Sequence, residues 1–307
     1  MRKLLIILST VMVFGGLFSG AVEAEGQVNS DKQINNKVPD ILKSKVKAKY
    51  QMSDEAINDL TPEQLKNKIV DIDSVEVSKK EQYYRFSYDV TDPNHPKKIN
   101  VAEVPKDEAY KQIEAQKNHN ITTLTESCGI SNGHDCVKEE WIQLETWVSR
   151  NAERTSGTVS SRFQWLTPPY YTDQDVFSIG LNSNFSPTPG TESATYKYSY
   201  GVGYEIGDTV ENFSTPTVRG EGGYGYTIQL AHGGGDYYVF NHRGYMEYKY
   251  SKNVTNPTLV DAFSTYAHQQ VDWDVEPSFS IPLGGSLALQ HSNDFDKVYG
   301  HAQFKPW

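Results

Sequence analysis

Tyr196-Lys197-Tyr198-Ser199-Tyr200-Gly201-Val202-Gly203-Tyr204-Glu205-Ile206 sets a large apolar or aromatic residue at every second position. The positions between are Lys, Ser, Gly, Gly and Glu. A period of two belongs to a β-strand, whose side chains point to opposite faces in turn. The run predicts one strand over 196–206. Tyr224, Tyr226, Ile228 and Leu230 repeat the pattern, with Gly223, Gly225, Thr227 and Gln229 between them.

Strand signals continue in both directions. Ile142, Leu144, Thr146 and Val148 alternate with Trp141, Gln143, Glu145 and Trp147. Phe163 and Trp165 end a second run at Pro168-Pro169, and Phe177, Ile179 and Leu181 mark a third. Further runs cover 237–251, 259–273 and 279–291, separated by Gly- and Asn-rich turns such as Gly233-Gly234-Gly235-Asp236. Within them, 259–270 also fits a short helix. About eight strands predict a mainly β fold, with residues 127–307 as an antiparallel β-sandwich or barrel-like domain.

Upstream the physics changes. Residues 127–307 hold all five Trp, 15 of the 20 Tyr and 19 of the 23 Gly, which places a domain boundary near Glu126. Residues 39–126 read as a small α+β domain, in the position of a pro-region or adaptor. Ser53 opens one helix. Thr61-Pro62-Glu63-Gln64 opens a second, to about Val70, with Thr61 at the N-cap, Pro62 at N1 and Gln64 closing a capping box. Tyr84, Phe86, Tyr88 and Val90 form a strand face, Asp92 to Pro96 a turn, and Ile99 to Val104 a second strand. Residues 106–118 read as a charged helix.

The first residues read as a secretory signal peptide, 1–24. Arg2 and Lys3 precede an apolar stretch from Leu4 to Phe18, and Val22-Glu23-Ala24 resembles a cleavage site. That stretch is short for a membrane span, which needs roughly 20 residues. Residues 25–38, polar and rich in Asn and Lys in the style of Gram-positive bacterial exports, predict a flexible leader. The expected location is extracellular. In that compartment Cys128 and Cys136, with turn-forming Gly129, Ser131, Asn132 and Gly133 between them, predict a disulfide at the start of the β domain. It would stabilise by roughly 2 kcal/mol. A metal site using His134 is the competing reading.

Charge and motifs exclude several classes of function. A formal charge of -10 repels nucleic acid, and no basic stripe offsets it. No Gly-x-Ser-x-Gly elbow, His-Glu-x-x-His site, P-loop or dinucleotide fingerprint is present, so no cofactor is implied and the reading leans away from an enzyme. Glu139, Glu140, Glu145, Glu205 and Glu247 remain candidates for a carboxylate pair. Asp173-x-Asp175, Asp272-x-Asp274 and Asn293-Asp294-x-Asp296 offer hard oxygen ligands to Ca2+, without an EF-hand spacing.

The tyrosine runs admit three roles. Their aromatic face packs a core, or it lines a groove for a flat, hydroxyl-rich ligand. Alternatively, 196–206 and 224–230 pair as a membrane-inserting hairpin. Trp141, Trp147, Tyr196, Tyr198 and Tyr200 are the candidate ligand-binding residues. The leading expectation is a secreted, non-enzymatic binding protein for an extracellular carbohydrate or cell-wall polymer. A β-hairpin pore-forming toxin, the reading that brings in a membrane, is the alternative. A glycan-acting hydrolase comes third.

Overall fold

Thr61 begins a helix as its neighbours dictate. Its hydroxyl accepts from the Gln64 amide at 3.1 Å, and the Gln64 side chain accepts from the Thr61 amide at 2.9 Å. This capping box satisfies two amides that a helix start leaves free. The helix is the third of four: α1 Asp40–Tyr50, α2 Asp54–Asp59, α3 Pro62–Ile69 and α4 Lys106–Thr122. The computed structural model describes residues 38–70, 72–90, 97–122, 137–270 and 277–307. The signal peptide, the leader up to Lys37, Cys128, Cys136, the turn at 92–96 and Asp272 to Asp274 lie outside the described residues.

Strands take 53% of the chain and helices 17%, so the protein is mainly β, and the strands pair antiparallel. They are β1 Glu76–Asp89, β2 Lys97–Val104, β3 Val137–Arg150, β4 Ser156–Trp165, β5 Gln174–Leu181, β6 Phe185–Pro187, β7 Ser193–Val202, β8 Glu205–Phe213, β9 Val218–Arg219 and β10 Gly223–Gln229. The last five are β11 Tyr237–Lys252, β12 Val260–Gln269, β13 Phe279–Ser280, β14 Ala288–Leu289 and β15 Phe295–Phe304. Among the described residues, one sheet runs β2-β1-β3-β4-β11-β7-β8, with β6 also on β11, and a second runs β15-β12-β5-β10-β9. β13 and β14 pair with each other, and no pairing closes a barrel.

The largest core cluster draws side chains from both sheets. Phe86, Leu144, Val148, Phe163 and Tyr248 come from the first, and Phe177, Ile179, Tyr226 and Tyr266 from the second. The opposite face of the first sheet is covered by helices. Val46, Tyr50, Leu60 and Leu65 pack on Trp147 and Tyr245, and Ala109 and Ile113 of α4 pack on Tyr83 and Trp141. β3 is therefore buried on both faces along most of its length.

Several expectations need correction. The 196–206 run is not one strand. Val202 pairs with Glu205, leaving Gly203-Tyr204 as a two-residue turn between β7 and β8. Gly203 supplies φ +58° at the first turn position, the Gly-x signature of a type II′ hairpin. The chain reverses there, so Ile206 lies opposite Gly201, on the face away from the tyrosines. The two tyrosine runs do not pair either: β7 belongs to the first sheet and β10 to the second. Residues 260–269 are strand throughout. The composition shift near Glu126 does not divide the sheet, because β1 pairs with β3 from Glu76↔Arg150 to Asp89↔Val137. α1, β6, β9 and β15, and residues 207–213 of β8, carried no sequence signal strong enough to read.

Candidate functional site

Trp141, Glu145 and Trp147 share one face of β3, as expected, but that face lies under the helices. The Trp147 indole N–H donates to the Tyr50 carbonyl at 2.7 Å, and its ring packs on Tyr245. Trp141 is buried among Tyr83, Ala109 and Ile113. Tyr196 is buried in the core. These three rings offer no face to a ligand, which corrects their role as stacking residues. For the two Trp the cause is tertiary, since α1–α3 and α4 fold back over strands that otherwise read as half-exposed; Tyr196 instead faces the core shared by the two sheets. Tyr198 and Tyr200 are half-buried.

Three of the five candidate carboxylates are engaged. Glu145 pairs with Lys79 at 2.7 Å and Arg162 at 3.2 Å. Glu247 accepts from the Tyr245 hydroxyl at 2.8 Å and lies 3.4 Å from Lys68, whose pKa is lowered by burial. Glu139 meets Arg85 at 3.1 Å, and Glu205 is exposed at the β7–β8 turn. Glu140 is buried with no close hydrogen-bond partner on either oxygen among the described residues, Lys138 Nζ standing 3.5 Å away, and burial raises its pKa.

Asp175 is not a calcium-loop residue. It sits in the core on β5, where it accepts from the Tyr266 hydroxyl and from the Gln269 amide at 2.9 Å. His268 Nδ1 lies 2.9 Å from it. Burial alone would lower the His268 pKa, but Asp175 outweighs it and the net shift is upward. Asp296 pairs with Lys98 and lies opposite His268 in the β12–β15 ladder. Among the described residues, no three His, Cys, Asp or Glu side chains gather where they could hold a metal ion.

The uncovered aromatic surface is elsewhere, where β11, β7 and β8 reach the Gly203-Tyr204 turn. Tyr204 is fully exposed and Ile206 is 71% exposed, with Val202, Val210 and Tyr238 beside them at about half. Register assigns these residues to two faces. Val202, Tyr200, Tyr237 and Val239 share one, and Ile206, Val210, Tyr238 and Phe240 share the other. Two glycines seat the rings. A Cβ on Gly201 would lie 2.1 Å from the Tyr238 ring, and one on Gly207 would lie 2.6 Å from the Tyr200 ring. Rings also pair along each face: Tyr200 with Tyr237 at 5.6 Å, and Tyr238 with Phe240 at 5.7 Å. The result is a thin wedge, apolar on both sides, with Glu205, Asp208 and Asp236 around it. The Gly-x pair within the tyrosine run was the signal that could have located this turn.

The same register bears on the expectation of a membrane-inserting hairpin. Tyr196 lies opposite Glu211, and Val202 opposite Glu205. Directly opposed residues point to one side of a sheet. The tyrosine face of this hairpin therefore carries two carboxylates, which a membrane-spanning hairpin would have to turn toward hydrocarbon at a cost.

A polar cleft lies further along the same strands. Its volume is about 830 Å³, and Gln64, Asn67, Glu192, Ser193, Asn212 and Phe213 line it. Gln64 Nε2 donates to Ser193 Oγ at 3.2 Å, joining α3 to β7. Glu192 is held by Arg219, which lowers its pKa against the opposing effect of burial.

No protein-family description matches this chain, and no curated protein matches it. Among solved structures that match is a chain titled "Pore forming protein", 8% identical, with a TM-score of 0.25, covering 54% of this chain and 86% of its own length. A likeness of that size carries nothing about activity.

Proposed function

We propose that this chain is an exported protein that docks on lipid bilayers through the wedge at the Gly203-Tyr204 turn, its two sheets packed as the layers of a sandwich. The observation that supports this reading is the two-sided apolar tip. A glycan platform presents flat rings framed by hydrogen-bonding side chains. Here the companions of the rings are Val202, Ile206 and Val210, from which a sugar gains little. An amphipathic Tyr204 ring at the point, with branched aliphatics on both faces behind it, suits a membrane interface. The acidic rim of Glu205, Asp208 and Asp236 favours zwitterionic over anionic lipid.

The test is flotation of the protein with phosphatidylcholine vesicles. Burying an Ile or Tyr side chain is worth roughly 1.5–3 kcal/mol, so Tyr204→Asp and Ile206→Asp should each weaken binding by about tenfold or more. Unchanged flotation of the double variant would remove the wedge from the account. A second reading rests on the cleft: its amides, hydroxyls and the Phe213 ring suit a hydroxyl-rich polymer. Under that reading, cosedimentation with cell-wall polysaccharide weakens in Phe213→Ala and is untouched by Ile206→Asp.

A further inference from the structure

The first sheet ends in two strands that, among the described residues, each pair on one side only. β2 bonds to β1 and β8 to β7. Each therefore presents a row of backbone donors and acceptors to a further strand. β2 begins with exposed Lys97 and Lys98 and carries Glu103, a net of +1. β8 carries Glu205, Asp208 and Glu211, a net of -3. Charges on edge strands usually prevent pairing between copies. Here their signs differ between the edges, so the effect is selective: β8 repels β8, while β8 and β2 attract.

We propose that copies of this chain join head to tail, the β8 edge of one pairing with the β2 edge of the next. Strand direction fixes the sense of the junction. Six antiparallel steps separate β2 from β8, so the two edges run the same way. Copies related by rotation about an axis along the strands then meet through a parallel pair. Such a heterologous contact builds a ring if the rotation closes and an open filament if it does not. The lengths match, eight residues in β2 and nine in β8.

Orientation is set by the same geometry. The Gly203-Tyr204 turn stands at the start of β8, level with Lys97 at the start of β2 in a parallel junction. Every copy then presents its wedge toward one side, and several weak insertions act together on one surface. That last step rests on the membrane reading; the edge pairing does not.

Some edge charges are already committed. Lys98 holds Asp296, and Asp208 accepts from Ser199 and lies 3.6 Å from Arg243. The test therefore uses Lys97, Asn100 and Glu205, and leaves Glu211, which in this register stands level with Glu103. One variant carries Lys97→Glu and Asn100→Glu, closing the β2 edge. The other carries Glu205→Lys, closing the β8 edge. Far-UV circular dichroism and melting temperature confirm that each is folded. Sedimentation velocity across a wide concentration range, and crosslinking on phosphatidylcholine vesicles, read the assembly. The wild type should assemble, and each variant should associate more weakly by about tenfold or more, as expected when attractive cross-strand pairs become repulsive. An equimolar mixture of the two variants restores both junctions: β8 of the first meets β2 of the second as in the wild type, and the reversed charge on β8 of the second meets the reversed charge on β2 of the first. Mixing should therefore recover assembly that neither variant shows alone. A wild type that stays monomeric in solution and on vesicles would overturn the proposal, and so would variants that assemble like the wild type. Flotation without assembly leaves the membrane reading standing and removes this one; assembly without flotation does the reverse.

Discussion

His242 closes a short relay in the core beneath the wedge. The Ala231 amide donates to the Tyr196 hydroxyl at 2.9 Å, and that hydroxyl lies 2.6 Å from His242 Nδ1. Burial favours the neutral imidazole, and a neutral ring with a bare Nδ1 can take the hydroxyl proton. Burial lowers the His242 pKa to about 4, and the charge of His268 acts in the same direction. The unfolded chain binds this proton near pH 6.5, the fold only near 4, so stability is present above pH 6.5 and lost as pH falls through 4. Between pH 7.5 and 4.5 the wild type should lose roughly 2 to 3 kcal/mol more than His242→Gln, read from urea midpoints at both values. An equal loss in both proteins would place the acid sensitivity elsewhere. Glu140 has the opposite sign. Its raised pKa means that its contribution is lost as pH rises through the folded value. Glu140→Gln should melt higher than the wild type at pH 8, with the gap closing toward pH 4.

At the scale of elements, α1–α3 are held to the sheet by charge as much as by apolar contact. Asp59 at the end of α2 accepts from Arg162 Nε on β4 and Arg243 Nε on β11, each at 2.8 Å. Removing one member of a buried set leaves the others uncompensated. Asp59→Ala should therefore destabilise by about 3–5 kcal/mol in urea unfolding, and adding Arg162→Met should recover part of that loss. Thr61→Ala, which removes only a cap, should cost about 1 kcal/mol. The contrast between these sites marks what a sequence can tell. Thr61 to Gln64 is local chemistry, and α3 was legible to within a residue. Asp59, Arg162 and Glu145 carry no mark of burial, because nothing near them in sequence announces that a helix will cover them. Trp141 and Trp147 were misassigned for the same reason. β15 escaped notice because, after Phe295, the alternating buried positions are filled by Val298, Gly300 and Ala302, too small to make a visible stripe.

The whole molecule is where the expected boundary near Glu126 meets its test. Composition separates residues 39–126 from residues 127–307, and a pro-region at that place would be dispensable once folding is complete. The hydrogen bonding is continuous instead. β1 lies along the full length of β3, and Tyr84, Phe86 and Tyr88 enter the core cluster shared by both sheets. Removing residues up to Cys136 would strip β3 of its β1 neighbour and expose the Trp141 and Trp147 rings. It would also leave Lys79, Asp59 and Glu55 absent from the partners of Glu145 and Arg162. A chain of residues 137–307 should therefore fail to give a cooperative melt and should bind a hydrophobic dye, whereas 38–307 should melt in one transition. A sharp transition from 137–307 alone would show that the β domain stands by itself, and that the fourteen-residue ladder between β1 and β3 adds stability without being required. The composition shift then reflects two histories joined in one sheet. Failure of the short chain assigns it to one folding unit whose polar helices shield an aromatic sheet.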